Sequence, residues 1–496
     1  MTTSSKNRNR ATSRIIKKHN PIKVMCSVAA CRLTRFGLRV LHRGGTTLPG
    51  RSAMFFDKDI LEVVSRGMEI VVVTGTNGKT TTCSMLRNAL QEAGIEPLSN
   101  ISGANLLTGI TAEFTASASL TGKPHKRFAI VECDEGALKK VVPLIRPKVI
   151  VVTNLFRDQL DRYGEVMHTL EEIRTGIKLV PETTLCLNAD CSLTASLAGI
   201  DEALPNPVYY YGIEGSAAQG KLNVSENELS DAKYCIKCGN EYSYDYHTYA
   251  HLGGYVCPKC GYKRMIPNLQ VESIDKMNSQ GSDIKVSFNN IDRPSTPNKR
   301  SSETKKIHVG LPALYNIYNS IAAIGAFEAA GWKRTSITQS LANISSSFGR
   351  MESFNYNNVD IQMILVKNPA GCNQSLTYLS SLDEDYVAVF CLNDKTADGH
   401  DISWIWDAEH EKVAQDPHCK FIYISGTRAG DMSIRLKYAG ASTQRLIIIE
   451  DNKELLEKMT SHSLPVYVLP NYTSMLSLRA VVGAATGKKE FWKDQK

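Results

Sequence analysis

Glycine, lysine and threonine residues at positions 75–80 form a pattern that could hold the phosphate groups of a nucleotide. Gly75 and Gly78 let backbone N–H groups approach a phosphate chain, Lys79 supplies a positive charge, and Thr80 has a hydroxyl that could bind Mg²⁺. The loop is shorter than the general P-loop, because Val73 stands five positions before Gly78. The alternative is a glycine turn followed by chance by Lys and Thr. We predict an ATP-binding loop that comprises Gly75, Thr76, Asn77, Gly78, Lys79 and Thr80.

Acidic residues follow the next two apolar segments of the chain, which we predict to be strands. The carboxyl ends of parallel strands face the crevice where ligands bind in open α/β sheets. We therefore predict that Glu132 binds Mg²⁺, directly or through water, and that Asp158 and Asp161 lie near the nucleotide or the metal. For Asp134, Glu135 and Asp161, a solvated loop carboxylate is an equally good interpretation, because acidic residues are mostly exposed.

The loop and the acidic segments resemble those of the Mur ligase superfamily, whose members join an activated carboxylate to an amine. Two later segments add to the resemblance: G-L-P-A-L-Y-N-I-Y-N at residues 310–319 and G-R-M-E at residues 349–352. It implies that Asn316 and Asn319 face the nucleotide and that Arg350 contacts the ATP phosphates. An asparagine within a helix is otherwise a common surface residue, so the order of the motifs along the chain carries the resemblance.

Four of the thirteen cysteines have the spacing C-x2-C-x18-C-x2-C, which is typical of a tetrahedral zinc site. They are Cys235, Cys238, Cys257 and Cys260. Each pair is followed by a glycine, Gly239 or Gly261, which allows a tight turn around the metal. Thiolates would fill all four positions, so we predict structural Zn²⁺ with no open position for catalysis. Two disulfides are the alternative, which the expected cytosolic location disfavours.

A Mur ligase with a four-cysteine insertion resembles the MurT family, the ligase subunits of lipid II isoglutaminyl synthase. The resemblance extends over about residues 48–480. It includes Gln159, where other Mur ligases usually have His, the segment K-N-P-A-G at residues 367–371, and the segment A-D-G-H-D-I-S-W at residues 397–404. Ser102 departs from the family pattern, which has Glu at this position.

The resemblance implies an ATP-dependent amidation in peptidoglycan biosynthesis. MurT enzymes convert the α-carboxylate of D-glutamate in the lipid II stem peptide into an amide, giving D-isoglutamine, with ammonia from a glutaminase subunit called GatD. A carboxylate does not react with ammonia at neutral pH, so ATP first phosphorylates it to an acyl phosphate. Lys79, Thr80 with Mg²⁺, and Glu132 would neutralise the phosphates. The expected cofactors are ATP, Mg²⁺ and structural Zn²⁺.

The chain lacks the sequence signs of a glutaminase, which needs an activated cysteine with His and an acidic residue. None of the nine cysteines outside the zinc pattern lies in a nucleophile-elbow or N-terminal context. A GatD-type partner is therefore expected. By resemblance to the family, Asp401 completes the Cys-His pair of that partner as a catalytic residue. The alternative is that Asp401 is a turn or cap residue after Gly399.

The length of 496 residues allows about three domains. We predict a Mur ligase-like ATP-binding central domain at residues 46–350, with a zinc-ribbon insertion at 230–266. A doubly wound α/β C-terminal domain is predicted at residues 355–490, where apolar strands alternate with helical stretches. Residues 1–45 are predicted to be a basic tail followed by an amphipathic segment.

Positive charge is concentrated at the N-terminus. Residues 1–51 contain twelve Lys and Arg and no Asp or Glu, whereas the formal charge of the whole chain is +8. Between Met25 and Val40, apolar residues recur at helical spacing, with arginines on another face. Such a helix could lie on the inner face of the plasma membrane or pack on its own domain. No apolar run reaches the roughly 18 residues needed to cross a bilayer, and we expect a cytoplasmic protein.

Two other function classes remain open. The first is a Mur-type or folylpolyglutamate-type ligase that adds an amino acid instead of ammonia; the cysteine insertion and Gln159 argue against it. The second is a nucleic-acid binder, suggested by the basic tail and the cysteine insertion. It is the weaker class, because the basic residues near the cysteines, among them Lys237 and Arg264, are few and interspersed with acidic ones.

Overall fold

The computed structural model describes most of the chain. The described residues are 19–41, 45, 47–100, 104–156, 166–200, 202–218, 231–278, 280–289, 302–344 and 350–488. Residues singled out in the sequence that lie outside this part are Ser102, Asp158, Gln159 and Asp161. The side chain of Arg350 lies outside it as well. Within the described part, the helices are all too short or too polar to cross a membrane.

The chain divides into two compact units, of which the smaller comprises residues 1–67 and 108–125. Its helices are α1 (Pro21–Val40), α2 (Thr47–Phe56), α3 (Ile60–Val64) and most of α5 (Leu107–Ser117). Asn20 begins α1 by accepting a hydrogen bond from the N–H of Ile22, and Pro21 occupies the first helical position. One face of α1 is buried in this unit.

The larger unit comprises residues 68–107 and 126–496 and contains a nine-stranded sheet. Its strands are β1 (Glu69–Thr74), β2 (Leu98–Ser99), β3 (Phe128–Glu132), β4 (Val149–Val152), β5 (Thr184–Asn188), β6 (Val208–Ile213), β9 (Leu269–Asn278), β10 (Gly281–Asn289) and β11 (Ser302–Val309). The order across the sheet is β11-β10-β9-β6-β5-β4-β1-β3-β2. Across the sheet from β2 to β9, each strand is parallel to its neighbour. Strand β10 is antiparallel to both of its neighbours, β9 and β11.

Buried β-branched residues explain why β1 lies in the middle of this sheet. Val71, Val72 and Val73 are completely buried, as strands covered on both faces of a parallel sheet require. Helices α4 (Lys79–Glu92) and α10 (Leu314–Ala329) pack together beside the sheet, and α10 also contacts β5 and β6. The other helices of this part are α6 (Leu138–Ile145), α7 (Val166–Lys178), α8 (Ser192–Ala195), α9 (Gly215–Ala218) and α11 (Arg334–Ser340).

The cysteine-rich insertion contains a two-stranded antiparallel hairpin. It consists of β7 (Ser243–Tyr249) and β8 (Leu252–Val256), and the first cysteine pair precedes it while the second follows it. Glycine is needed on β8, because a Cβ atom at Gly253 would clash with the backbone of Tyr246.

The second sheet has six strands, in the order β12-β13-β17-β14-β15-β16. They are β12 (Arg350–Tyr356), β13 (Val359–Ile364), β14 (Tyr386–Cys391), β15 (Cys419–Ser425), β16 (Leu446–Ile448) and β17 (Val466–Pro470). Only the pair β12 and β13 is antiparallel among these neighbours. The helices are α12 (Pro369–Leu379), α13 (Glu411–Ala414), α14 (Ala429–Tyr438), α15 (Asn452–Thr460) and α16 (Tyr472–Thr486).

Helices cover both faces of this second sheet. Alternate residues of β14 belong to separate cores: Ala388 and Phe390 pack with α12 and α14, whereas Val387 and Val389 pack with α15 and α16. The alternation of strands and helices predicted for the C-terminal part is therefore present, as a doubly wound arrangement with one antiparallel edge.

Candidate active site

The phosphate loop adopts a backbone that its two glycines make possible. Gly75 has φ 119° and Gly78 has φ 87°, both in the region that favours glycine. A Cβ atom at Gly75 would clash with Thr153 and Asn154, and one at Gly78 would clash with the side chain of Asn319. Helix α4 begins at the next residue, Lys79. The positive end of the α4 dipole therefore lies at this loop, as in helix N-termini that bind phosphates.

The segment after β4 holds this loop in place. Thr153 donates a hydrogen bond from Oγ1 to the carbonyl of Asn77 at 2.7 Å, and Asn154 Oδ1 accepts from the N–H of Asn77 at 2.9 Å. The hydroxyl of Thr76 bonds both the carbonyl and the N–H of Phe156. Thr153, Asn154 and Phe156, which begin the predicted acidic segment, therefore hold the loop in its conformation. Asp158 and Asp161 lie outside the described residues.

Lys79 is paired with a carboxylate. Its Nζ lies 2.7 Å from Oε1 of Glu135, and it also donates to the carbonyl of Gly75 at 2.5 Å. The side chains of Lys79 and Glu135 are only 12% and 9% exposed. Glu135 is therefore a buried partner of the phosphate-loop lysine, not a solvated loop residue. A bound phosphate would have to compete with Glu135 for this ammonium group.

Glu132 lies at the end of β3, next to the loop. In the β1–β3 register it is the partner of Val73, the residue that precedes Thr74 and the loop. Asn100 fixes its backbone, accepting from the N–H of Glu132 at 2.9 Å and donating to its carbonyl at 2.7 Å. The hydroxyl of Thr80 and the carboxylate of Glu132 are oxygen groups of the kind that Mg²⁺ prefers as ligands. The neighbouring Asp134 is buried and accepts from the N–H of Gly136 in a turn.

The two asparagines of α10 have different environments. Asn319 packs against Gly78, and its Nδ2 donates to Oδ1 of Asn316 at 3.3 Å. Asn316 is buried and donates to the carbonyl of Pro312 at 2.6 Å. Of the two, Asn319 lines the cavity beside the loop. Asn316, which the resemblance assigned to ATP, holds Asn319 in position.

A cavity lies between the phosphate loop and the second sheet. Asn77 and Gly78 line one side, and Tyr249 of the hairpin lies beside them. Lys367 and Asn368, with the first turns of α12, also line the cavity. The phosphate loop and the start of α12 therefore border one cavity.

The K-N-P-A-G segment reaches the phosphate loop directly. Asn368 begins α12 by accepting from the N–H of Gly371 at 2.8 Å, and its Nδ2 lies 3.4 Å from Oδ1 of Asn77. In the sequence, this segment indicated only the family resemblance and no role for its residues. An Asn followed by Pro at a helix start is the signal that could have located it, since both are favoured there.

Asp401 lies in the loop after β14 and not among the residues that line the cavity. Its Oδ1 accepts from the N–H of Ser403 at 2.8 Å, which begins a short 3-10 helix, Ser403–Trp406. Hydrogen bonds from the side chain and backbone of Ser403 hold the pKa of Asp401 below its usual value. The hydrogen bond to Ser403 is typical of a turn residue. The ionised, partly exposed carboxylate could also contact a partner protein.

The four cysteines of the insertion converge. Their sulfur atoms all lie within 4.8 Å of one another; Cys235 and Cys260 are 3.6 Å apart, and Cys238 and Cys257 are 3.5 Å apart. These distances are far longer than the ~2.05 Å of a disulfide. Four thiolates at about 2.3 Å from Zn²⁺ in a tetrahedron would be separated by about 3.8 Å, so the cluster fits zinc.

Two similar turns surround the cysteine cluster. The N–H of Gly239 donates to the carbonyl of Cys235 at 2.8 Å, and that of Gly261 donates to the carbonyl of Cys257 at 3.0 Å. Both glycines have φ 72°, as predicted from their position after each pair. The insertion therefore has the paired tight turns that a four-thiolate metal site needs.

A buried ion pair anchors the insertion to the nine-stranded sheet. Nε of Arg264 lies 2.6 Å from Oδ1 of Asp190, whose side chain is completely buried. Oδ2 of Asp190 accepts from the hydroxyl of Tyr318 and from the N–H of Ile213. Arg264 is thus used within the fold, which weakens the case for nucleic-acid binding by the insertion.

Comparisons with known proteins match these features. The Mur ligase middle domain family matches residues 73–250, and the MurT ligase C-terminal family matches residues 365–475. A protein from Streptococcus pneumoniae named lipid II isoglutaminyl synthase (glutamine-hydrolyzing) subunit MurT is 32% identical; the alignment covers 93% of this chain and 98% of that protein. A protein of the same name from Staphylococcus aureus is 30% identical, with 90% and 95% covered.

Solved structures share the fold. A pseudomurein peptide ligase type C from Methanothermus fervidus aligns with a TM-score of 0.58 and 20% identity, over 88% of this chain and 81% of that one. MurF from Acinetobacter baumannii aligns with a TM-score of 0.61 and 14% identity, over 90% and 82%. Folylpolyglutamate synthase from Thermotoga maritima gives 0.54 and 13%, over 88% and 95%.

Proposed function

Because the chain belongs to the MurT family, we propose that it is the ligase subunit of an enzyme that amidates lipid II during cell wall synthesis. The carboxylate acted on would be the α-carboxylate of D-glutamate in the stem peptide, which becomes D-isoglutamine. The observation that carries the proposal is the cavity, in which the phosphate loop faces the K-N-P-A-G segment of the MurT-type C-terminal region.

The reaction needs two displacements in this cavity. The substrate carboxylate first attacks the γ-phosphorus of ATP, so that an acyl phosphate forms and ADP leaves. Ammonia then attacks the acyl carbon, the C–O bond to phosphate breaks, and inorganic phosphate leaves with the amide as product. Lys79 and the N-terminus of α4 would stabilise the negative charge on the phosphates, which is most of what phosphoryl transfer requires of a protein.

Magnesium would supply further neutralisation of the phosphate charge when bound at Thr80 and Glu132. We propose that Gly75, Thr76, Asn77, Gly78, Asn316 and Arg350 make the remaining ATP contacts, with Asn319 beside the loop. Lys367 and Asn368 add contacts from the second sheet. Coverage of the cavity by this segment would keep water from the acyl phosphate.

Ammonia would come from a GatD-type glutaminase subunit, since the relatives are named as subunits of a glutamine-hydrolysing enzyme. Cys191 and His251 do lie side by side in this chain, with Sγ and Nε2 3.3 Å apart. Both are fully buried; burial raises the pKa of Cys191 and lowers that of His251 to about 3. A neutral pair without access to solvent is unsuited to glutamine hydrolysis. Asp401 remains the group we propose for the partner's triad.

The cysteine cluster is proposed to bind Zn²⁺ and to stabilise the insertion, because its four thiolates leave no open coordination position. We also propose the domain boundaries predicted from the sequence, with a central domain at residues 46–350, the insertion at 230–266 and a C-terminal domain at 355–490.

Since the named substrate of the relatives is a lipid, we also propose that the chain works in the cytoplasm at the inner face of the plasma membrane.

Product mass tests the proposal. The purified chain is combined with a GatD-type subunit, lipid II, Mg-ATP and glutamine, and the stem peptide is examined by mass spectrometry. Amidation exchanges a carboxylic acid for a carboxamide and hardly changes the mass. Addition of an amino acid, the alternative, increases it by a whole residue. ATP turnover that requires an amino acid and does not respond to ammonia would contradict the proposed amidation.

A further inference from the structure

Helix α1 has two opposite faces with different surroundings. One face, with Val24, Val28 and Cys31, is at most 3% exposed and packs within the smaller unit. The other face carries large apolar side chains that are largely exposed. These are Ile22 (71%), Met25 (46%), Leu33 (70%), Phe36 (67%) and Val40 (59%), which together we call the α1 stripe.

The spacing of the α1 stripe makes it continuous. Its members recur at intervals of three or four residues, with the small Ala29 filling the one longer gap. At 3.6 residues per turn they fall within about 80° of the helix circumference and extend over roughly 27 Å. Scattered single apolar residues on a surface need no explanation, but a contiguous stripe of this length marks an interaction site.

Two side chains prevent α1 from turning the stripe inward. Arg35 forms a two-pronged ion pair with Glu113 of α5, with distances of 3.1 and 3.2 Å. Arg32 donates from its guanidinium to the carbonyl of Ala118. Both contacts lie in the same unit as α1. The stripe is therefore held outward by the packing and polar contacts of the opposite side.

The charge around the stripe is positive. Lys23, Arg32 and Arg39 are exposed on α1, and residues 1–51 include no acidic side chain to balance them. A helix with an apolar face, flanking basic residues and no acidic ones has the composition of a segment that lies in the interface of an anionic bilayer. Each basic residue near such a surface adds attraction that salt weakens.

We propose that the α1 stripe lies on an anionic lipid surface, with the apolar side chains among the acyl chains and the basic side chains at the headgroups. The proposal deepens the proposed function, because it gives a lipid-linked substrate and the enzyme a common surface. A second copy of the chain is a poorer occupant. Two such helices would bring their arginines together with no acidic residues on either helix to pair with them.

Vesicle binding tests the proposal without ATP or substrate, so its outcome is independent of the ligation activity. The full chain is sedimented with vesicles of equal parts phosphatidylglycerol and phosphatidylcholine. We expect Leu33→Gln with Phe36→Gln to reduce the bound fraction at least about tenfold, since each buried side chain contributes to transfer from water. Lys23→Glu with Arg39→Glu should weaken binding to these vesicles and abolish its salt dependence.

Ile266→Gln is the matched control, because Ile266 is 68% exposed outside the smaller unit and should leave vesicle binding unchanged. All the altered side chains are exposed, and unchanged melting curves would confirm that the variants fold. Equal sedimentation of the wild type with and without vesicles would overturn the proposal. So would a concentration-dependent dimer that the Leu33 and Phe36 changes dissociate, or binding to nucleic acid that they abolish.

Discussion

Among single residues, Lys79 is the one that we propose supplies the charge that phosphoryl transfer needs most. We predict that Lys79→Ala reduces amidation by roughly 10² to 10³, because the transition state loses a cation at the transferred phosphoryl group. The loss should be the same with glutamine and with free ammonium. Steady-state ATP turnover and product formation measure it.

A paired variant separates this effect from the fold. Lys79→Ala leaves the buried Glu135 without its cation, which by itself lowers the free energy of unfolding. The double variant with Glu135→Gln should recover thermal stability and remain inactive. Near-normal turnover by either variant would contradict the role of Lys79.

We propose that Asp401 serves a different half-reaction, the hydrolysis of glutamine by the partner. We predict that Asp401→Asn lowers glutamine-driven amidation by roughly 10³ to 10⁴, because the histidine of the partner loses the carboxylate that orients it. Amidation with a high concentration of free ammonium should continue, since the cavity residues do not include Asp401. Equal loss with both nitrogen sources would place Asp401 in the ligation or the fold. An unaffected glutamine reaction would leave it as a turn residue before the Ser403–Trp406 helix.

At the scale of elements, we propose that the cysteine-rich insertion depends on zinc bound by its four cysteines. We predict that Cys260→Ser loses stoichiometric zinc and destabilises the β7–β8 hairpin, because zinc binding contributes directly to folding of small sites. Metal analysis and thermal unfolding measure the two effects. Cys26→Ser is the matched control, since Cys26 lies on α1 in the other unit. Wild-type protein without stoichiometric zinc would contradict the prediction.

Local sequence predicted the elements whose side chains carry their own signal. The valines of β1 and the glycines after it indicate a buried strand and a phosphate turn, because burial on both faces and positive φ each require a residue type. The cysteine spacing likewise indicated a convergent cluster. Each of these features can be predicted from a short stretch of sequence.

Long-range contacts were not visible in the sequence. The pairing of Glu135 with Lys79 joins residues far apart in the chain, and an acidic loop residue has the same appearance whether solvated or buried. Helix α1 is another example. Its apolar period predicted an amphipathic helix, but only the packing shows that Val28 is covered while Leu33 and Phe36 are exposed.

At the scale of the molecule, the cavity draws on both sheets. We predict that Lys367→Ala reduces ATP turnover with glutamine and with ammonium alike, by roughly tenfold or more, because a positive charge is lost from the lining of the cavity. Loss with both nitrogen sources would distinguish Lys367 from Asp401, whose change should affect the glutamine reaction alone. The control is Lys437→Ala, on α14 away from the cavity lining, which should leave turnover unchanged. A loss confined to the glutamine reaction would contradict the assignment.

The pairing of Lys79 with Glu135 also determines which solutes can occupy the loop. A small anion such as chloride would gain one cation but would leave Glu135 buried without its own, and breaking such a pair costs about 3–5 kcal/mol. A triphosphate brings several negative charges and the N–H groups of α4 as additional partners, so it can offset that cost. We therefore expect the loop to disfavour the abundant monovalent anions of the cell and to admit polyanions, a form of selectivity that precedes any recognition of the base.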